Sequence, residues 1–168
     1  MDRRDFLAVV CLLPAGAALA APAAPAPAGL SLPAAINKAG RQRMLSQRTA
    51  KAWLMLVQGV LPEKAKSILA QSLHLFDQQL AELKALPAGD EVRSAWLQVE
   101  QEWGRYRPLL ADIRSDAKAV WAGNEALLGA TQKLTLAYEK AAGTSAGRLV
   151  NLAGRQRMLS QRMAKAYF

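Results

Sequence analysis

Four stretches of the chain carry apolar residues at the three- and four-residue spacing of an amphipathic helix, and glycine or proline separates them. Ser31 is placed to cap the first helix and Asp90 the third, which Pro108 should kink or interrupt. Short turns between the helices predict an all-α, up-down antiparallel four-helix bundle. The predicted segments are helices over 34–60, 62–86 and 117–142, a third helix that follows the turn at 87–90, and one bundle domain over 34–142.

One decapeptide, AGRQRMLSQR, occurs at 39–48 and again at 153–162, 114 residues further along. Helix packing alone rarely requires particular polar residues, so the identical repeat indicates a functional constraint. The repeat distance corresponds to one bundle. Residues 143–168, which hold the second copy, are therefore predicted to open a second, truncated bundle. The second copy would alternatively close the first bundle as a fifth helix.

The first copy lies on a heptad in which steps of four and three place its glycine, second arginine and second glutamine on one seam. Seam positions normally meet a neighbouring helix, and the glycine lets that helix come close. A second apolar stripe, through Leu45 and Thr49, is predicted to face the bundle. The candidate ligand-binding residues are Gly40, Arg43 and Gln47 in the first copy and Gly154, Arg157 and Gln161 in the second.

Burying an arginine at a seam position costs free energy unless a negative group pairs with it. The guanidinium loses its hydration, and only paired hydrogen bonds replace it. Arg43 therefore predicts either an internal salt bridge, to a carboxylate such as Glu100 or Asp112, or an exchangeable anion. Arg41 and Arg48 fall on a third stripe, which is predicted to be solvated.

The N-terminal residues 1–20 show a charged start, a short apolar run and a small-residue tail, which predict an export signal cleaved near Ala20. Arg3 and Arg4 give it a twin-arginine character. The Ala/Pro-rich residues 21–33 are predicted to be an extended linker. We therefore expect a periplasmic protein.

The formal net charge is +9, and removal of residues 1–20 takes away two arginines and two aspartates, which leaves it unchanged. The single cysteine, Cys11, lies in the signal, so the mature chain offers no disulfide, thiol nucleophile or cysteine-bound metal. Export argues against a nucleic-acid partner. The basic excess instead suits small anions, a membrane surface or solvated faces.

The extended motifs INKAGRQRMLSQR from Ile36 and VNLAGRQRMLSQR from Val150 resemble the signature helix of periplasmic sensor domains in NarX-type nitrate-sensing kinases and PilJ-type chemotaxis transducers. The resemblance implies a sensor or binding module for a small oxyanion such as nitrate or nitrite. It further implies that Arg43 and Arg157 contact the anion, that the motif helices pair in a homodimer, and that a membrane-bound signalling partner receives the output.

Two other classes of function stay open. The bundle would be ligand-free and bind a partner in a chemotaxis, pilus or two-component pathway, or it would carry a redox cofactor such as haem on His74 with Met44 or Met55. The sequence has no Ser-His-acid set, metal cluster or glycine-rich phosphate loop. We therefore expect no enzymatic activity, no metal and no cofactor.

Overall fold

The computed structural model describes residues 30–86 and 88–168, and these contain helices and turns but no strand. The all-α prediction is confirmed. The predicted export signal and most of the predicted linker lie outside the described residues. The helices are α1 (Leu32–Val57), α2 (Pro62–Lys84), α3 (Asp90–Tyr106), a 3-10 helix (Arg107–Ala111), α4 (Ala117–Ala142) and α5 (Ser145–Tyr167).

Most helix ends follow the local sequence signals. Ser31 caps α1, and its side-chain oxygen accepts a hydrogen bond from the amide of Ala34, as predicted. The interruption predicted at Pro108 is confirmed, because α3 gives way there to the 3-10 helix. The cap of α3 was misplaced by one residue: Gly89, with φ of 91°, precedes the helix, and Asp90 is its first member.

Helices α1 to α4 form the predicted four-helix bundle, in which α1 packs against α2 and α4, and α3 packs against α4. Aromatic side chains fill the space between α2 and α3. The rings of Phe76 and Trp103 stack with their centroids 3.9 Å apart, and Trp96 donates its indole N–H to the carbonyl of Leu80 at 3.0 Å. The stripe that contains Leu45 and Thr49 is buried in this core, as expected.

Helix α5 packs along α1 and runs parallel to it. Gly147 lies against Ile36 near the start of both helices, Gly154 lies against Gly40, and the Gln58 side chain donates to the backbone carbonyl of Phe168 near their ends. This packing matches the alternative in which the second copy adds a fifth helix to the first bundle. That α5 also opens a second bundle stays a prediction.

Candidate functional site

The two copies of the decapeptide meet where α1 crosses α5, and a glycine from each helix lies at the crossing. A Cβ built on Gly154 would lie 3.6 Å from the Cα of Gly40 and 3.1 Å from Nη2 of Arg43. A Cβ on Gly40 would lie 3.2 Å from the same nitrogen. The missing side chains therefore leave the space that the Arg43 guanidinium occupies.

Arg43 has no solvent-exposed surface, and its hydrogen-bond partners are neutral. Nη1 donates to the side-chain oxygen of Gln132 on α4 at 2.6 Å, and Nη2 donates to the backbone carbonyl of Asn151 on α5 at 3.2 Å. The buried Nε has no hydrogen-bond partner among the described residues. The edge of the guanidinium formed by Nε and Nη2 is thus the less satisfied one.

No described carboxylate forms a salt bridge with Arg43. The two internal partners that the sequence suggested are engaged elsewhere: Glu100 lies 4.0 Å from Lys84, and Asp112 pairs with Arg114 at 3.0 Å. The carboxylate of Glu139 acts on Arg43 at longer range and accepts a hydrogen bond from the Asn151 side chain.

The surroundings of Arg43 disfavour its positive charge. The pKa of Arg43 is lowered to about 10, mainly by burial and then by the positive charges of Arg155 and Arg157, while the negative charge of Glu139 opposes the shift. The guanidinium is still charged at neutral pH. A buried cation beside two other cations is an environment that an anion would stabilise.

The second copy makes the reciprocal contact. Arg157, the counterpart of Arg43, donates from Nη2 to the side-chain oxygen of Asn37 at 2.8 Å, and Asn37 is the counterpart of Asn151. The two motif helices therefore exchange hydrogen bonds from arginine to asparagine, one to a backbone carbonyl and one to a side-chain oxygen. The exchange is unequal in burial, because α4 covers Arg43 whereas Arg157 is exposed.

A hollow of about 560 Å³ opens on the Arg157 side of the crossing. It gives Arg157 and Asn37 access to solvent, whereas Arg43 does not line it. The hollow is lined by Pro33, Ala34, Asn37, Val150, Ala153 and Arg157.

Of the six predicted site residues, the structure brings Gly40, Gly154, Arg43 and Arg157 together. The two glutamines lie one turn further along their helices, and each keeps a buried side-chain oxygen that has no hydrogen-bond partner within 30–86 and 88–168. Asn151 and Gln132 were not predicted. The extended motifs, which begin with Ile-Asn and Val-Asn, contained the signal for Asn151, whereas nothing in the sequence of α4 distinguishes Gln132.

Gln47 belongs to a second polar layer, centred on Asn124 of α4. The Asn124 side-chain oxygen accepts from Gln47 at 3.0 Å and from the Lys165 ammonium at 2.8 Å. Lys165, which is fully buried, also lies 2.8 Å from Glu125 and over the ring of Trp121. Burial lowers the pKa of Lys165 and Glu125 opposes the shift, so this layer fastens the end of α5 to α4.

The remaining candidates lie apart from this site. Arg41 and Arg48 are half-buried rather than solvated, and His74 is exposed on α2. The described residues hold no group of three or more metal-ligating side chains. In the same part of the chain, no helix combines the length and the hydropathy that crossing a bilayer requires.

Comparison with known proteins gives two matches. The family model for PilJ, the type IV pili methyl-accepting chemotaxis transducer N-terminal domain, matches residues 30–128. Methyl-accepting chemotaxis protein McpN of Pseudomonas aeruginosa is 35% identical over a 96-residue alignment, which covers 52% of this chain and 18% of that protein. No solved structure matches the chain. The family match includes Arg43 and ends before Arg157.

Proposed function

We propose, from the premise that this chain belongs to the PilJ family of chemotaxis transducer N-terminal domains, that it senses a small oxyanion such as nitrate or nitrite. The single observation that carries the proposal is the fully buried guanidinium of Arg43, which has no salt bridge to a described carboxylate. Desolvating a cation is costly. A stable fold has little reason to keep such a charge unless a ligand supplies the missing negative group.

The geometry of Arg43 suits a planar oxyanion. Gln132 anchors Nη1, while Nε has no partner in the described part of the chain and Nη2 makes only a 3.2 Å contact with the Asn151 carbonyl. Two oxygens of nitrate or nitrite would accept from Nε and Nη2 side by side, which is the bidentate arrangement that arginine favours. Each such charge-assisted hydrogen bond contributes roughly 1.5 to 3 kcal/mol.

Binding would change the spacing of the motif helices. Nη2 lies against Gly154 of α5 and donates to the Asn151 carbonyl, so the anion must displace that carbonyl, and the hollow beside Arg157 offers a route from solvent. An anion would also relieve the repulsion between arginines, roughly 2 kcal/mol for charges about 7 Å apart at an effective dielectric near 20. A ligand with different affinity for two helix arrangements is what a switch requires.

Thermal unfolding in a panel of anions at constant ionic strength tests the proposal. Nitrate or nitrite should raise the melting temperature relative to chloride. Arg43→Lys should remove the increase, because lysine keeps the positive charge but lacks the two parallel N–H donors of the guanidinium. Arg41→Lys is the matched control, since Arg41 lies in the same decapeptide and should leave most of the increase. Equal losses in the two variants, or no increase with any oxyanion, would contradict the proposal.

The output would pass to a membrane-bound signalling partner, in a periplasmic setting, as the transducer family suggests. A homodimer through the Arg43 seam would need α5 to leave α1, because α5 fills that seam within one chain. The chain spans 18% of the length of McpN, so the signalling partner and the periplasmic setting are proposed only for the N-terminal domain that this chain represents.

A ligand-free, partner-binding bundle is the second candidate function. It is favoured by the fact that both Nη groups of Arg43 already have partners within the chain. Under this alternative no oxyanion raises the melting temperature.

A further inference from the structure

Helix α5 exposes a row of large side chains on the face opposite Gly154, which we call the outer stripe. At 100° per residue its members fall within about 80° of arc. Several are exposed to an unusual degree for apolar groups, with Leu149 at 67%, Met163 at 76% and Tyr167 at 86%. The outer stripe consists of Leu149, Leu152, Gln156, Leu159, Met163 and Tyr167.

The first copy of the motif shows how the same face is used when it is covered. Leu45 and Trp53, the counterparts of Leu159 and Tyr167, are fully buried in the core, and so are the counterparts of Leu149, Gln156 and Met163. Gln42, the counterpart of Gln156, donates to the backbone carbonyl of Phe76 on α2 at 3.1 Å. On α1 a helix covers this face, whereas on α5 nothing among the described residues does.

We propose that a second copy of this chain covers the outer stripe, through parallel pairing of the two α5 helices about a twofold axis. The stripe has the spacing of a coiled-coil seam: Leu149, Gln156 and Met163 occupy a positions, and Leu152 and Leu159 occupy d positions. A narrow a/d stripe suits a partner helix better than a bilayer, which takes a wider apolar face.

Gln156 sets the register. It is the one polar residue at the a and d positions of the stripe and lies in the middle a layer. In a parallel pair it meets its own counterpart, and the two amides can donate to each other. A single polar a residue is known to select one register and one oligomeric state.

Charge selects the parallel orientation. Arg148, Arg155 and Arg162 recur every seven residues along one flank of the stripe, and α5 contains no acidic residue. Antiparallel pairing would bring two arginine rows together. Parallel pairing places each row beside the other flank of the partner copy, which carries Ala153, Ser160 and Tyr167. Arg162 is also neutralised by Glu125 at 2.9 Å within its own chain.

The association should be weak. The stripe from Leu149 to Tyr167 is about 27 Å long at 1.5 Å per residue, so it buries less than the roughly 1,600 Å² of a standard interface. We expect a dissociation constant in the micromolar range or above. The inference is independent of the proposed anion site, because Gly154, where α5 meets Arg43, lies on the opposite face of α5.

Sedimentation equilibrium from about 10 μM to 1 mM protein tests the dimer, and the wild type should shift from monomer to dimer across this range. Leu152→Asp and Leu159→Asp should each raise the dissociation constant at least about tenfold. Leu97→Asp is the matched control, because Leu97 is 51% exposed on α3, away from the stripe, and should change nothing. Circular dichroism confirms that each variant is folded.

Single cysteines test the orientation in a Cys11→Ser background, which otherwise lacks cysteine. In a parallel pair every a position meets itself, so Leu149→Cys and Met163→Cys should each form a disulfide-linked dimer on mild oxidation. A monomer at all concentrations, or a dimer that Leu159→Asp leaves unchanged, would overturn the proposal. Binding of a monomeric wild type to phosphatidylglycerol vesicles through the same leucines would also overturn it, in favour of a bilayer.

Discussion

Gly40 and Gly154 lie in contact at the crossing of α1 and α5, and the Arg43 guanidinium rests against both. The separation of the two motif helices is therefore set by glycines, and the space they leave is filled by a charged group. The close packing of α1 on α5, the burial of Arg43 and the repeated decapeptide therefore all belong to this one contact.

Gly154→Ala should lower the free energy of unfolding by about 1 to 3 kcal/mol, because the new Cβ would lie 3.1 Å from Nη2 of Arg43 and 3.6 Å from Gly40. Gly129→Ala is the matched control. Gly129 is also helical but has nothing within 4 Å of its would-be Cβ, so alanine there should stabilise α4 by up to about 1 kcal/mol. Urea denaturation measures both, and stabilisation of both variants would show that the helices are not in close contact.

Tyr138→Phe should reduce the loss of stability at alkaline pH, and the buried Tyr106, whose pKa is also raised by burial, should keep part of it. Burial raises the pKa of Tyr138 to about 12, and its hydroxyl donates to the Leu83 carbonyl at 3.0 Å. Between pH 10 and 12 the unfolded tyrosine loses its proton while the folded one keeps it. The contribution of Tyr138 to stability is therefore intact below about pH 10 and falls by about 1.4 kcal/mol per pH unit between pH 10 and 12.

Denaturant unfolding at several pH values from 9 to 12 measures this slope. Tyr167→Phe is the control, since Tyr167 is 86% exposed and its substitution should leave the slope as in the wild type. An unchanged slope in Tyr138→Phe would mean that Tyr138 ionises freely in the folded protein.

Glu125→Gln should loosen the end of α5. It would leave Lys165, which is fully buried, and Arg162 without their shared carboxylate, and breaking a buried ion pair typically costs about 3 kcal/mol. Glu91→Gln removes an exposed pair with Lys140 and should cost a few tenths of a kcal/mol.

Hydrogen exchange of the amides of α5 locates the effect of Glu125→Gln. Protection should fall in α5 before it falls in α2 or α3. Equal protection in the wild type and the variant would show that Glu125 does not hold this helix.

The bundle could be predicted from the sequence because its signals are local. Apolar spacing gives each helix, and the breaks at Pro62 and Pro108 lie where proline cannot continue a regular helix. The predicted cap of α3 was wrong by one residue, since glycine and aspartate, here Gly89 and Asp90, are both acceptable near a helix start.

The site was only partly predictable. The heptad placed Gly40 and Arg43 on one seam. It could not predict whether the facing helix comes from this chain or from another, because the two copies of the decapeptide are identical. The unequal burial of Arg43 and Arg157 depends on α4, which covers one side of the crossing. Such packing between distant parts of the chain cannot be predicted from the residues of the motif.

Arg43→Met separates the sensor from the ligand-free bundle by its effect on stability. Arg43 is buried without a carboxylate, and replacing an uncompensated buried charge with an apolar group of similar length is often neutral or stabilising, by about 1 kcal/mol or more. If Arg43 is kept for a ligand, the variant should unfold at the same or a higher temperature while losing all response to nitrate and nitrite. If Arg43 instead ties α5 and α4 to α1, the loss of its bonds to Gln132 and Asn151 should lower the free energy of unfolding by about 2 kcal/mol. Calorimetric melting with and without anion distinguishes the two results, and Arg157→Met, at the exposed counterpart, should change the melting temperature of the anion-free protein little.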